Sequence, residues 1–248
     1  MVPVDGASGG RERLAEAFAE LVVATVGEFD VHELLQVLSE RCVDVMDVSA
    51  SGLMLAHPGS GLQVMVASNE QAKLLELFQI QHDEGPCLES FHSGEPVVAV
   101  ALDGGFDQWP RFASAAANAG YTTVIAVPMQ VAGKVIGALN LFGTHEQPAP
   151  AVPNVRIAQA MADVTAVAIE HVRLAHERVA LIVQLETAVE SRVAIEQAKG
   201  MVAHHLDIGL DEAFVLLRHR ARTSRRLLKD VAVEAVNNRG DGLTSGGP

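Results

Sequence analysis

The spacing of hydrophobic positions changes from helical to strand-like early in the chain. Residues 11–26 and 31–48 place apolar side chains three and four positions apart, which predicts two amphipathic helices with a break near Gly27. Residues 51–56 and 62–67 are short β-like runs separated by a segment rich in proline and glycine. Such runs predict two strands joined as a hairpin.

The same region continues as a series of helices and strands. Asn69 is placed to cap a helix that extends to about Gln81, and residues 82–87 are predicted to form a loop. The further predicted elements are a strand at 96–102, an Ala-rich helix at 111–119, and a hairpin of 122–131 and 134–142 that turns at Ala132-Gly133. This order indicates an α+β fold in which helices flank an antiparallel sheet.

Residues 154–204 form the longest uninterrupted helical pattern. This stretch contains no proline, its only glycine is Gly200, and as one helix it would extend for roughly 75 Å. Apolar residues recur every seven positions, and a second row, interrupted by Thr165 and Glu186, fills the offset positions. The two rows are Met161, Ala168, Ala175, Ile182 and Val189, with Val172, Val179 and Val193. The pattern predicts a coiled-coil seam and a parallel homodimer; the alternative is a helix whose first half packs on the sheet.

Two short helices are predicted after this long one. Gly209 is positioned as a cap before Asp211-Glu212, whose charges suit a helix N-terminus. The predicted buried face of this helix consists of Ala213, Phe214, Leu216 and Leu217. Thr223-Ser224 separates it from a last helix with its own apolar face. Residues 240–248 are predicted to be disordered.

Charge is distributed unevenly along the chain. The 248 residues carry a formal net charge of −13, but residues 178–239 hold ten Lys and Arg against eight Asp and Glu, a net charge of +2, which leaves −15 for the remainder. A mildly basic C-terminal segment joined to an acidic body is typical of an anion-binding module attached to a domain that avoids polyanions.

The sequence predicts neither export nor membrane insertion. The N-terminus lacks a basic region followed by an apolar run, and no apolar stretch of about 18 residues occurs. Cys42 and Cys87 lack the spacing of a disulfide framework or of a zinc site. The protein is therefore expected in the reducing cytoplasm, without membrane contact.

Four short blocks appear in order within residues 184–239: Ser191-Arg192, 195–200 (IEQAKG), 211–218 (DEAFVLLR) and 229–232 (KDVA). Together they resemble the ANTAR family of bacterial RNA-binding antitermination domains. The resemblance implies an all-α three-helix bundle that binds RNA hairpins in nascent transcripts and prevents termination. The match departs where His204-His205 replaces a frequent Glu-Arg and where Asp207 replaces a common glycine. Loss of an arginine there is expected to weaken binding or to make it depend on histidine protonation.

Basic residues in this segment are the candidates for contact with phosphate. Arginine offers a bidentate fork to phosphate and a plane that stacks on an unpaired base, although a solvated helical face is the alternative. Gly200 inside a helix costs about 1 kcal/mol relative to alanine, so close approach of RNA or of another backbone would account for it. The predicted RNA-binding residues are Arg192, Gln197, Ala198, Lys199, Gly200, Arg218, Arg220, Arg222, Arg225, Arg226 and Lys229.

A second set of blocks lies within residues 30–172: 84–87 (EGPC), 109–112 (WPRF), Gly120, and the run from Pro128 through 136–141 (IGALNL). Together these are similar to the GAF domain, which implies either a sensor for an unidentified small molecule or a dimerisation platform. Cys87 is expected to be an exposed loop thiol of low reactivity. The predicted pocket residues are Glu84, Gly85, Pro86, Cys87, Trp109, Phe112 and Asn140, and no cofactor is assigned.

Catalytic and metal-binding signatures are missing from the sequence. No nucleophile elbow, Walker loop, kinase signature or carboxylate pair with a base is present, and His82 and Cys87 have no second ligand at metal spacing. The sequence thus predicts a binding protein with no catalytic and no metal site, rather than an enzyme.

The predicted organisation follows from these segments: a GAF-like sensor at 11–172, a coiled-coil linker helix at 173–190, an ANTAR-like RNA-binding domain at 184–239 and a tail at 240–248. The expected function is a signal-responsive antiterminator that binds RNA hairpins as a homodimer and is gated by the GAF domain. A DNA-binding transcription factor and a signalling scaffold without nucleic acid are the alternatives.

Overall fold

The computed structural model describes residues 5–25, 29–57, 59, 61–102, 107–147 and 152–238. It divides into two compact units, Met1–Arg173 and Leu174–Pro248. Gly27 and the tail at 240–248, for which a helix break and disorder were predicted, lie outside the described residues. The elements in chain order are α1 (Asp5–Val23), α2 (Val31–Met46), β1 (Ala50–His57), β2 (Gly61–Ala67), α3 (Glu70–His82), α4 (Pro86–Ser93), β3 (Val97–Val100), α5 (Pro110–Asn118), β4 (Thr123–Val131), β5 (Lys134–Gly143), α6 (Val152–Leu206), α7 (Leu210–Thr223) and α8 (Leu228–Asn237).

The first unit is built on a five-stranded antiparallel sheet with strand order β2-β1-β5-β4-β3. Both predicted hairpins are present. The turn between β4 and β5 has positive φ at Ala132 (50°) and Gly133 (78°), the backbone that two-residue hairpin turns require. These strands and their flanking helices confirm the predicted α+β fold.

Side chains alternate between the two faces of the sheet, and each face carries its own core. On one face, Leu53 and Leu139 pack with α1, α2 and the first part of α6. On the other face, Phe142 packs with residues of α3 and α5, including Phe112. Asn140, between Leu139 and Leu141 on β5, therefore points toward the helices of the second face.

The predicted loop at residues 82–87 is shorter than expected, because α4 begins within it. Gly85 takes a φ of 144°, which favours glycine, and Pro86 then occupies the first turn, where its missing N–H is tolerated. Cys87 consequently lies on a helix and is fully buried. The expectation of an exposed loop thiol was wrong.

Helix α6 runs unbroken for 55 residues, which confirms the long helix. Its first part packs on the sheet, so Met161 and Ala168 of the predicted seam belong to the core of the first unit. Residues 173–190, in contrast, are exposed throughout, with Ile182 and Val189 54% and 63% exposed. Within the described residues, no helix is long and apolar enough to cross a membrane.

The described part of the second unit, up to residue 238, consists of helices and the turns between them. The last part of α6 packs with α7 and α8 around Ala198, Val202, Leu217 and Ala232. Helix α7 starts after Gly209, as predicted, and turn residues from Ser224 onward separate it from α8.

Candidate functional site

Lys199 and Arg218 come together on the second unit at the ring of Phe214. The Lys199 Nζ lies 5.5 Å and the Arg218 Cζ 5.8 Å from the ring centroid. Lys199 comes from α6 and Arg218 from α7, so cations of two helices meet at the ring of Phe214. The Lys199 ammonium also contacts the Glu196 carboxylate at 2.9 and 3.0 Å.

The other predicted RNA-binding residues of α7 fall on two sides of that helix. Arg222 is one turn after Arg218 and shares its face, and both are exposed. Arg220 lies about 200° around the helix from Arg218, at 100° per residue. The cationic surface that extends from Phe214 therefore includes Arg222 and leaves Arg220 on the other side.

On α6 the predicted residues also separate. Arg192 precedes Lys199 by seven residues, or about two turns, so it lies on the same side of the helix and is exposed. Gln197 is exposed but lies about 200° away from Lys199. Ala198 is fully buried in the core of the unit, so its side chain supports the bundle.

Gly200 is exposed on α6 and has no packing role within the described chain. A Cβ built at this position meets no atom within 4 Å. Glycine within a helix costs about 1 kcal/mol relative to alanine. Contacts within the chain therefore do not account for this glycine, whereas close approach of an external backbone would.

Two helix ends of this unit use the left-handed conformation without glycine. Asp207 has φ 51° after α6, and Arg225 has φ 53° after α7. The Ile208 N–H donates to the Ala203 carbonyl and the Arg226 N–H to the Ala221 carbonyl, which closes each helix end. This left-handed backbone explains why a glycine is common at position 207 in the family.

The two predicted RNA-binding residues near α8 are each held by the unit itself. Arg226 forms an ion pair with Glu234 of α8, and Lys229 lies half-buried in the first turn of α8.

In the first unit, Glu84 serves as a cap. Its Oε1 accepts hydrogen bonds from the backbone N–H groups of Arg111 (2.7 Å) and Phe112 (3.1 Å), where it complements the positive end of α5. Trp109 and Phe112 are buried and meet edge to face with centroids 6.5 Å apart. The Trp109 indole donates to Glu89 at 3.1 Å.

Asn140 and Cys87 belong to a buried polar cluster centred on Glu76 of α3. The Asn140 Nδ2 donates to both carboxyl oxygens of Glu76, at 2.7 and 2.9 Å. Gln79 donates to Glu76 at 3.2 Å and accepts from the Cys87 backbone N–H at 2.9 Å. Gly52 on β1 leaves space for the carboxyl, which a Cβ there would overlap.

The electrostatics of this cluster follow from its burial. Burial raises the pKa of Glu76 to about 8, although the hydrogen bond from Asn140 opposes the shift. Burial and the neighbouring Glu76 also raise the pKa of the Cys87 thiol. The Asn140 Oδ1 has no hydrogen-bond partner among the described residues.

Sequence reasoning missed Glu76, although its helix carries a signal. The buried face of α3 consists of Ala72, Leu75, Glu76 and Gln79, which have helical spacing, while Leu74 and Leu77 are 63% and 47% exposed. The hydrophobic residues of this helix thus do not identify its buried face. The helical spacing of Glu76 and Gln79 with Ala72 and Leu75 is the signal that would have indicated the buried polar cluster.

The first unit also contains a cavity of about 570 Å³ between α2, β2 and the start of α3. It is lined by residues other than the predicted pocket residues, and eight of its thirteen lining residues are polar or charged. The polar and charged lining residues are His32, Gln36, Ser39, Glu40, Ser68, Asn69, Glu70 and Lys73.

Comparison with known families assigns both units. A family model of the GAF domain matches residues 29–170, and a model of the ANTAR domain matches residues 183–236. The chain therefore belongs to the GAF family over more than half its length and is a GAF and ANTAR domain-containing protein. GAF domains sense signals and ANTAR domains are RNA-binding antiterminators, so the general kind of function is regulation through RNA. The comparison with curated proteins returned no match.

Solved structures show the fold of the first unit. The GAF domain of a phosphoenolpyruvate-protein phosphotransferase from Coxiella burnetii is 15% identical, with a TM-score of 0.54, over 70% of this chain and 99% of its own. A GAF domain/HD domain protein from Geobacter sulfurreducens is 21% identical, with a TM-score of 0.50, over 60% of this chain and 97% of its own.

Proposed function

We propose that this protein is a signal-responsive regulator that binds hairpins in nascent transcripts and promotes antitermination. The observation that carries the proposal is the cationic surface of the ANTAR unit, where a half-buried Lys199 and an exposed Arg218 meet at Phe214 and the exposed Arg222 follows one turn later on the face of Arg218. Arginine and lysine at this spacing suit phosphates of one strand, and the ring suits an unpaired base.

RNA is favoured over duplex DNA by the composition of α8. A DNA reader needs a helix whose exposed side chains donate to base edges in the major groove. The solvent side of α8 instead carries Asp230, Val233 and Glu234, while Val231 and Ala232 are buried. The Asp230 carboxylate on that side would repel the phosphates that line a groove, and the Glu234 carboxylate is already ion-paired with Arg226.

The protein acts as a homodimer through the exposed part of α6. Between 173 and 190 the apolar side chains of Val179, Ile182 and Val189 are more than half exposed, and a second copy would cover them. Two RNA-binding units in one dimer raise affinity for a target with two hairpins through effective concentration.

Gating by the GAF unit uses the same helix. Residues of α6 belong to the core of the first unit at Ile169 and to the core of the second at Ala198. A small molecule that changes the packing of α6 on the sheet would therefore bias the segment that leads to the RNA-binding unit. The cavity beside β2 and the Glu76 cluster are two places among the described residues of the first unit that suit such a signal.

The protein acts by binding and not by catalysis. Both of its thiols are fully buried, and burial raises the pKa of Cys42 and of Cys87. Since the thiolate is the nucleophile, neither cysteine is suited to covalent chemistry.

The test is a titration of the full chain against a pool of RNA hairpins with randomised loops, and against duplex DNA, at low and at physiological salt. The proposal predicts that hairpins are enriched and bound more tightly than the duplex at both salt concentrations. Equal or tighter binding of the duplex would favour a DNA-binding factor, and binding of neither would favour a scaffold.

A further inference from the structure

The second unit has one aromatic side chain, and that side chain is not part of its core. Phe214 is the only Phe, Tyr or Trp in residues 174–248. The core cluster of this unit is aliphatic, and its α7 members are Ala213, Leu217 and Ala221. Phe214 lies outside that cluster and stays partly exposed. Burial in the core therefore does not explain why the largest apolar group of the unit occupies this position.

Two cations surround the ring, and one of them, Lys199, is also ion-paired with the Glu196 carboxylate. Lys199 from α6 and Arg218 from α7 both lie over it, at 5.5 and 5.8 Å from the centroid. An aromatic ring with two cations at its face matches a nucleotide in a single strand, because the base can take the place of the cations on the ring and the cations can then bind the flanking phosphates. Duplex DNA keeps its bases stacked on one another and presents no free base to such a ring.

Gly200 supplies the space that such a strand would need. It follows Lys199 directly in α6, it is exposed, and a side chain added there would meet nothing within 4 Å. A strand whose phosphate contacts Lys199 can thus approach the α6 backbone closely.

We propose that Phe214 stacks on one unpaired base of the RNA loop, while Lys199 and Arg218 bind the phosphates on either side of that base. This inference rests on the proposed RNA-binding function. It adds the contact by which the protein distinguishes an RNA loop from a duplex. The stacking residue sets the preference for an unpaired nucleotide, and the two cations set the path of the strand.

The experiment uses the full chain and one hairpin enriched by the wild-type protein from a pool with randomised loops. Each loop nucleotide is replaced in turn by an abasic site. Affinities of these hairpins are measured for wild type, F214L and F214Y, with V215A, an exposed apolar position on the same helix, as the control. Melting temperatures of all variants are recorded.

Stacking predicts a specific pattern of losses. F214L should bind the intact hairpin roughly tenfold more weakly, while F214Y and V215A bind it like wild type. At one loop position, removal of the base should weaken wild type by a similar factor and leave F214L without further loss. This lack of additivity connects the ring to that base.

A second measurement does not depend on F214L being stable. F214W adds a tryptophan to Trp109, and its emission should be quenched by the intact hairpin but not by the hairpin that lacks the contacted base. The inference is overturned if F214L binds like wild type, if the two losses multiply at every loop position, or if F214W is not quenched. If the wild type enriches no hairpin at all, the proposed function itself fails.

Discussion

The two units differ in where they place residues that do not contribute to apolar packing: the GAF unit places them in its interior and the ANTAR unit at its surface. The GAF unit places a carboxyl in its interior, where Glu76 is fully buried with Asn140 and Gln79. The ANTAR unit places Phe214 and Gly200 at its surface, where neither is explained by contacts within the chain. Both features cost free energy, but only the second is accessible to a partner without rearrangement.

This difference suggests different roles for the two units. A buried titratable group makes the stability of the GAF unit depend on conditions, which suits a sensor. In the ANTAR unit, Gly200 lowers helix propensity and Phe214 leaves apolar surface exposed. A bound partner that covers both residues would offset these costs, which suits a binding unit.

The largest effect is expected for E76Q. The pKa of Glu76 in the folded protein, about 8, lies above its ordinary value of 4.5, so its contribution to stability is present below pH 4.5 and is lost as pH rises to about 8. E76Q removes this dependence at roughly 1.4 kcal/mol per pH unit within that range. Wild type and E76Q should therefore unfold alike near pH 4.5, and E76Q should be several kcal/mol more stable near pH 8.

Denaturant unfolding of the full chain across this range checks the prediction. The difference between the two proteins cancels the contribution of histidines, which both contain. A difference that stays constant with pH would show that Glu76 is ionised in the folded state.

The next effect concerns the exposed segment of α6. Glutamate at Ile182 and Val189 places charges on the proposed seam, so I182E/V189E should be monomeric by light scattering where the wild type is dimeric. The control Q184E/T187E puts the same charges on the polar side of the helix and should remain dimeric. A dimeric I182E/V189E variant would place the dimer interface elsewhere.

Smaller effects are expected for G200A, which should raise stability and lower RNA affinity. Alanine meets no atom of the described chain and is the better helix former, so the stability of the ANTAR unit should rise by about 1 kcal/mol. RNA affinity should fall, because the methyl group occupies the space of the approaching strand. Thermal unfolding and hairpin titration measure the two effects. A stabilised variant with unchanged affinity would contradict close approach at this position.

The hairpins were predicted because turn residues separate their apolar runs, and α6 was predicted because no proline interrupts its pattern. The cap was predicted from the side chain of Asn69, which accepts from the Ala72 N–H. Helix α4 was missed because its signal, Gly85 followed by Pro86, also describes a loop. The Glu76 cluster was missed because α3 buries polar residues and exposes Leu74 and Leu77, the reverse of the usual pattern.

In the candidate RNA site, too, the sequence predicted some residues correctly and could not tell which others are buried or face another direction. The family blocks identified Lys199 and Arg218, which the structure brings together at the ring of Phe214, and Gly200, which is exposed next to Lys199 in the chain. They also included Ala198, which the bundle buries, and the count of basic residues included Arg220, which α7 turns away. Periodicity placed Phe214 and Leu216 on the buried face of α7 together with Ala213 and Leu217, but Phe214 lies outside the core cluster and Leu216 is 40% exposed.

The most direct test of the central claim, that the ANTAR surface binds RNA, is the salt dependence of hairpin binding by K199A/R218A/R222A. The matched control K73A/R156A/R178A removes three exposed cations from other parts of the chain. If three phosphate contacts are lost, binding should weaken, and the slope of log affinity against log salt should flatten by about two units, with circular dichroism and melting temperature retained. The control should keep the parent slope. A folded triple variant that binds the hairpin as tightly as the parent at every salt concentration would contradict the account.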